Sequence, residues 1–109
     1  MPSPFIALLL FLAAALEAGG DALIRKGLRA DSPARLGWYA AGALLLFGYG
    51  CFVNSPPWDF GRLLGVYIAF FFLVAQGIGW ITFRQVPTPG TLIGGGLIVA
   101  GGIVIFARG

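Results

Sequence analysis

Apolar residues fall along this chain in four long runs separated by short polar breaks. The first is unbroken from Phe5 to Leu16 and, past Glu17 and Asp21, continues to Ile24. At about 1.5 Å per residue that is about 30 Å, the thickness of a bilayer's hydrocarbon core. Arg25 and Lys26 end the run, and Gly27 is placed to cap a helix there. Asp31-Ser32-Pro33 reads as a turn. The second run extends from Leu36 to Val53, with Trp38 and Tyr39 at its mouth in the manner of an interfacial belt. Asn54-Ser55-Pro56-Pro57 breaks it. The third begins at Gly61-Arg62 and reaches Phe83, with Gln76 inside it, and the fourth runs from Thr91 to Phe106. None shows the alternation of a membrane β-strand. The pattern predicts an all-α integral membrane protein, a single domain over 1–109 with transmembrane helices at about 5–26, 36–53, 62–83 and 91–106.

Composition sharpens this reading. The 109 residues are 59% hydrophobic and 10% charged, where a soluble domain carries about 25% charge. A chain this short cannot coat itself against water with so few charges, so its apolar surface needs lipid. Arg25, Lys26, Arg29, Arg35 and Arg84 fall in the first and third connections, against Arg62 and Arg108 on the other side. That excess predicts those two connections in the cytoplasm and both termini outside. Basic residues beside apolar runs suit lipid headgroups, and no basic ladder interleaved with aromatics points to nucleic acid. The small residues Ala13 to Ala18 resemble a secretory cleavage region, but no basic residue precedes the apolar run, which is therefore expected to be retained. Cys51 is the one cysteine and there is no histidine, so neither an intramolecular disulfide nor a metal site is expected, and Cys51 is read as a small buried residue. No phosphate loop or paired nucleophile and base points to an enzyme or a cofactor.

The chemistry concentrates in the first span. An ionised carboxyl in hydrocarbon is costly and normally marks an ion or proton pathway. Helical spacing puts Leu10, Ala13, Ala14, Gly20, Asp21 and Ile24 on the side of Glu17, and the small residues there admit a neighbouring helix or a flat solute. At such a carboxyl a proton and a cation compete for the same oxygens, which is enough to couple their movements. A structural role is the alternative: Glu17 paired with Arg62, and Asp21 paired with Arg25 one turn away. In the third span Tyr67, Phe71 and Val74 share a stripe with Ile78. Ring faces attract cations, and the Tyr67 hydroxyl is suited to bonding a carboxylate. In the fourth span Gly94 and Gly101 are seven residues apart, flank Leu97 and Ile98, and form a candidate packing or dimer seam.

The segment Leu16-Glu17-Ala18-Gly19-Gly20-Asp21-Ala22-Leu23-Ile24-Arg25 resembles the first helix of the small multidrug resistance transporters. That family has a membrane glutamate, a glycine three residues on, a hydroxyl residue at the fourth and a basic residue at the eighth. Glu17, Gly20 and Arg25 match, and Asp21 stands in the hydroxyl place. Gly94-xx-Leu97-Ile98-xx-Gly101 is similar to the family's fourth-helix dimer motif, and Trp80 falls at a tryptophan position late in its third helix. Gly61-Arg62 followed by Tyr67 is more similar to the neighbouring YnfA-type branch (UPF0060), and Tyr67 falls where the transporters place the aromatic that lines the site.

The resemblance implies a protomer of the drug/metabolite transporter superfamily that pairs as an antiparallel dimer, with one glutamate from each copy at a shared site. It implies a homodimer or a heterodimer with a homologous subunit, multi-pass in the cytoplasmic (inner) membrane of a prokaryote, exchanging protons for small cationic substrates. Glu17 and Asp21 would bind cation or proton, with Tyr67, Phe71, Ala13, Ala14 and Gly20 shaping the pocket. Gly94, Leu97, Ile98 and Gly101 would hold the dimer. Two other readings stay open: a lipid-linked or other metabolite as cargo, with Arg62 attracting an anionic headgroup, and a non-transporting membrane subunit.

Overall fold

The computed structural model describes residues 4–108, which form four helices, α1 (Pro4–Leu28), α2 (Ala34–Val53), α3 (Phe60–Phe83) and α4 (Pro89–Arg108). Residues 1–3 and 109 of the expected domain lie outside the described residues. Each helix is long and apolar enough to cross a membrane. Most ends extend a residue or two beyond the apolar runs, because a helix at an interface can take in flanking polar residues whose side chains reach headgroups. Gly27 is one such addition and corrects its reading as a cap. It lies inside α1 and is buried, since a Cβ there would stand 2.7 Å from the Tyr39 ring of α2.

The outside of the molecule is apolar, and the inside mixes small residues with a few large ones. Leu36, Phe47, Ile81 and Leu97 are each more than 70% exposed, whereas Leu10, Ala13 and Ala14 are fully buried. Surface of this kind spread over every helix needs lipid as its solvent. Cys51 corrects another expectation: it is exposed on α2, where a small apolar thiol meets the same outward surface.

Three seams join the helices. Along α1 and α2, which run antiparallel, the closest approach is glycine on glycine. A Cβ on Gly20 would stand 3.0 Å from the Gly42 carbonyl oxygen and 2.8 Å from Leu46 Cγ, and one on Gly42 would stand 2.9 Å from the Gly20 oxygen. The α1–α3 seam runs parallel and carries the core of Leu10, Ala13, Ala14, Leu63, Val66 and Tyr67, closed at one end by Val53. The third seam, α3 with α4, uses Gly95 against the Phe72 ring and Gly102 against Ala69. α4 leans chiefly on α3, at the side of the bundle.

The glycine pair read from sequence as a seam, Gly94 and Gly101, is not the pair that packs within the chain. A Cβ at either would meet nothing within 4 Å, and Leu97 beside them is 73% exposed. Gly95 and Gly102, one residue further on and also seven apart, do the internal packing. Hence Gly102→Ala, whose new methyl would sit 2.5 Å from Ala69 Cβ, is expected to destabilise the protomer by about 1–3 kcal/mol. Gly101→Ala should leave the α3–α4 seam intact. Thermal unfolding in detergent reads both, and an unchanged midpoint for Gly102→Ala would show that α4 does not rest on α3 in this way.

Candidate functional site

Glu17 lies near the middle of α1, thirteen residues from Pro4 and eleven from Leu28. At about 1.5 Å per residue both helix ends are more than about 15 Å away along the axis. The carboxyl is therefore at mid-depth of the span, out of reach of bulk water at either face by its own length. Its side chain is half-buried against α3. There the Tyr67 hydroxyl donates to Glu17 Oε1 at 2.6 Å, and the Ala13 carbonyl oxygen lies 3.4 Å from the same hydroxyl. A phenol carries one proton and accepts through its lone pairs, so it can donate to only one of these at full strength. The short contact to the carboxylate is the dominant one.

Tyr67 is held by its ring. It is buried, with the Tyr49 ring of α2 at 5.5 Å between centroids and the Phe71 ring at 6.1 Å. Three helices thus meet at one point: α1 brings the acid, α3 the hydroxyl, α2 an aromatic wall. Tyr49 was not singled out in the sequence, although a tyrosine between two glycines inside an apolar run was a usable signal for a polar group at depth.

The remaining candidate residues are distributed as follows. Ala13 and Ala14 are wholly buried in the α1–α3 seam, so in this conformation they are packing surface with no room for a solute. Gly20 faces α2 and carries the glycine-on-glycine approach. Phe71 touches Tyr67 and also lines a cleft of about 210 Å³ between α1 and the second half of α3. Asp21 lines that cleft too, with Ala18, Arg25, Phe83 and Gln85. Gly94, Leu97, Ile98 and Gly101 lie away from the acid, on the outer side of α4.

Neither candidate arginine pairs with an acid, and no ion pair forms among the described residues. Arg62 lies over the Trp58 ring, its Cζ 4.0 Å from the centroid, and its Nη2 donates a long bond of 3.5 Å to the Phe106 carbonyl. Its Nε is buried without a partner. Arg25 lies over the Phe83 ring at 5.2 Å, and Lys26 over Trp38 at 5.5 Å. Arg25 is one turn from Asp21, within pairing distance, but is held on its ring, and from Glu17 both arginines are separated by distance. Arg25 is eight residues, about 12 Å, along α1 from Glu17, and Arg62 is five residues before Tyr67 on α3. Near the span ends a guanidinium gains a ring face while staying close to the headgroups.

Comparison with known proteins adds the following. The chain is 39% identical to the UPF0060 membrane protein YfjF of Bacillus subtilis over 104 residues, 92% of each chain. It is 37% identical over 95 residues to a UPF0060 membrane protein of Nocardia farcinica, covering 86% of this chain and 84% of that one. A third relative, a UPF0060 membrane protein of Halalkalibacterium halodurans, is 36% identical over 100 residues, 90% of this chain and 92% of its own. No family model matches the chain. No solved structure matches it significantly.

The Glu17–Tyr67 contact yields a direct test. Tyr67→Phe keeps the ring stack and deletes the donor, which is expected to cost about 1–3 kcal/mol of stability. Infrared spectra of the Glu17 carboxyl, identified by its loss in Glu17→Gln, should shift in Tyr67→Phe. An unmoved band would mean that the hydroxyl does not bond the acid.

Proposed function

The chain belongs to the UPF0060 family of membrane proteins, and from that premise we propose that it is a proton-coupled exporter of small organic cations. The observation that carries the reading is Glu17: a carboxyl at mid-span, bonded to the Tyr67 hydroxyl and to no arginine. A structural acid in hydrocarbon is ordinarily neutralised by a fixed basic partner, whereas an acid with only a hydroxyl beside it keeps its charge open to exchange.

The proton and the cation exclude one another at this site for a simple reason. With Glu17 ionised, Tyr67 donates to it and the carboxylate is ready for a positive guest. With Glu17 protonated, the acid has no charge to offer, and the phenol can turn its proton to the Ala13 carbonyl, 3.4 Å away. The ring stays between Tyr49 and Phe71 in both states, so the change costs little more than a hydroxyl rotation. Faces of Tyr49, Tyr67 and Phe71 add attraction for a cation where water is scarce.

The transport unit in this proposal is a dimer in the cytoplasmic membrane, with one Glu17 from each copy. Two inverted copies supply the symmetry that alternating access uses. The free outer side of α4, with Gly94, Leu97, Ile98 and Gly101, is where the copies would meet. The short motifs shared with the small multidrug resistance transporters favour the same arrangement.

The test is electrophysiology on a solid-supported membrane with proteoliposomes, offering guanidinium, quaternary ammonium and polyamine cations in turn. At least one class should drive a proton current that Glu17→Gln abolishes. In detergent, proton release on adding that cation should disappear with the same substitution. A current that survives Glu17→Gln removes the acid from the mechanism. Absence of current with every cation, together with a protein that co-purifies in fixed ratio, would favour the non-transporting subunit.

A further inference from the structure

The cleft between α1 and the second half of α3 is separate from the Glu17–Tyr67 contact and has an unusual lining. It holds one acid, one base and one amide, Asp21, Arg25 and Gln85, together with the rings of Phe71 and Phe83. Asp21 and Arg25 are one helical turn apart on α1, the spacing at which such residues normally pair. Here they do not, because the Arg25 guanidinium rests on the Phe83 ring at 5.2 Å. Asp21 makes no hydrogen bond or ion pair with any described residue. A carboxylate inside a membrane span, unpaired and facing a cavity, is placed for a ligand.

Gln85 reaches the cleft through a specific turn. Arg84 ends α3 in the left-handed region, at φ 57°. That conformation is uncommon for a residue with a Cβ. It folds the chain back so that the Gln85 N–H donates to the Gly79 carbonyl at 3.1 Å. The Gln85 side chain then lies beside Gly79 and closes the cleft's end. A straight exit from the helix would carry it away.

We propose that this cleft binds a small zwitterion, its ammonium or guanidinium on Asp21 and its carboxylate or phosphate on Arg25. As a station on the way to Glu17 it rests on the exporter reading and adds to the cargo cations that also carry an anionic group. The formal charges of the cleft cancel, so a simple cation meets Arg25 and a simple anion meets Asp21, while a zwitterion satisfies both. Gln85 can donate to the anionic end and accept from the cationic end. Phe71 and Phe83 cover the methylenes between. The cleft, about 210 Å³, is open on one side, and suits a guest with a short link between its charges. Asp21 is seven residues from the end of α1, about 10 Å, so the same chemistry is within reach of a phosphatidylethanolamine headgroup.

The experiment compares 4-aminobutyrate with butylamine and butyrate, which share its chain and carry one charge each. By calorimetry on the full chain in a non-ionic detergent, 4-aminobutyrate should bind about tenfold or more tightly than either. Asp21→Asn and Arg25→Gln should each abolish that preference, and Arg25→Lys should restore part of it, with unchanged helicity by circular dichroism confirming the fold. The source is read in phosphatidylglycerol nanodiscs. If added phosphatidylethanolamine suppresses 4-aminobutyrate binding, the headgroup is the natural guest; if binding persists, a soluble solute is. Equal binding of 4-aminobutyrate and butylamine, or a preference untouched by Arg25→Gln, overturns the proposal. Failures stay distinguishable. Cation-driven proton release without zwitterion preference removes the cleft and leaves Glu17; zwitterion preference without proton release removes the exporter and leaves the cleft.

Discussion

Water does not press helices together inside a bilayer, because the surrounding acyl chains are as apolar as the side chains that would be buried. Close contact between helices therefore has to come from backbones that can approach. Every seam in this protein is organised on that constraint. Gly20 meets Gly42 between α1 and α2, Ala13 and Ala14 fill the α1–α3 seam, and Gly102 meets Ala69 between α3 and α4. Many large residues point outward, where they contact lipid at no loss, while Leu10, Val53, Leu63, Val66 and Tyr67 fill the core beside the small ones. The placement of chemistry follows from the same seams. With a small interior on α1, α3 comes close enough for a phenol to reach a carboxylate on its neighbour.

Charge is arranged by depth. The acid at the centre has a hydroxyl and ring faces around it, and the bases sit near the span ends on aromatic rings of their own. Distance along the helix keeps the two sets apart. A guanidinium drawn to the centre would forfeit headgroup contact and its ring, and would fix Glu17 in one charge state. Held at the ends, the bases leave the central carboxyl bonded to the phenol and to no base. Asp21 is intermediate, one turn nearer the interface, and that position puts it in a cleft with a base instead of beside the phenol.

The four helices were legible because a bilayer imposes a long apolar run on any spanning segment, and this chain has four with clear breaks. Glu17 stood out for the same reason, as a charge where none is affordable. Other features were hidden because they depend on rotation about a helix axis by a single residue. Gly94 and Gly101 were visible as a seam, but so in principle were Gly95 and Gly102, and spacing alone does not say which stripe faces α3. Gly20 was assigned to the side of Glu17, whereas it turns to α2, since residues three apart on a helix are offset by about 60°. Gly27 read as a cap because nothing in the sequence announced the ring of Tyr39 across from it. Gln85 was unreachable, as its position depends on the left-handed turn at Arg84.

The Glu17 site is one-sided in this chain, and this bears on how a cation could rest there in the proposed function. Glu17 makes a single hydrogen bond among the described residues. An organic cation leaving water gives up a full shell of partners, and one carboxylate with a few ring faces replaces only part of it. The missing part has to come from somewhere at the same depth. Among the described residues the neighbouring groups are alanine, glycine and aromatic rings, and the next acid on α1, Asp21, is one turn away. In the proposed dimer a second copy would supply a second carboxyl from the same residue, and one guest would be shared between the two acids. In that proposal the glycine stripe on the outer side of α4 is where the copies would meet. On the dimeric reading proposed above, the acid's surroundings are incomplete because each chain would carry half of the site.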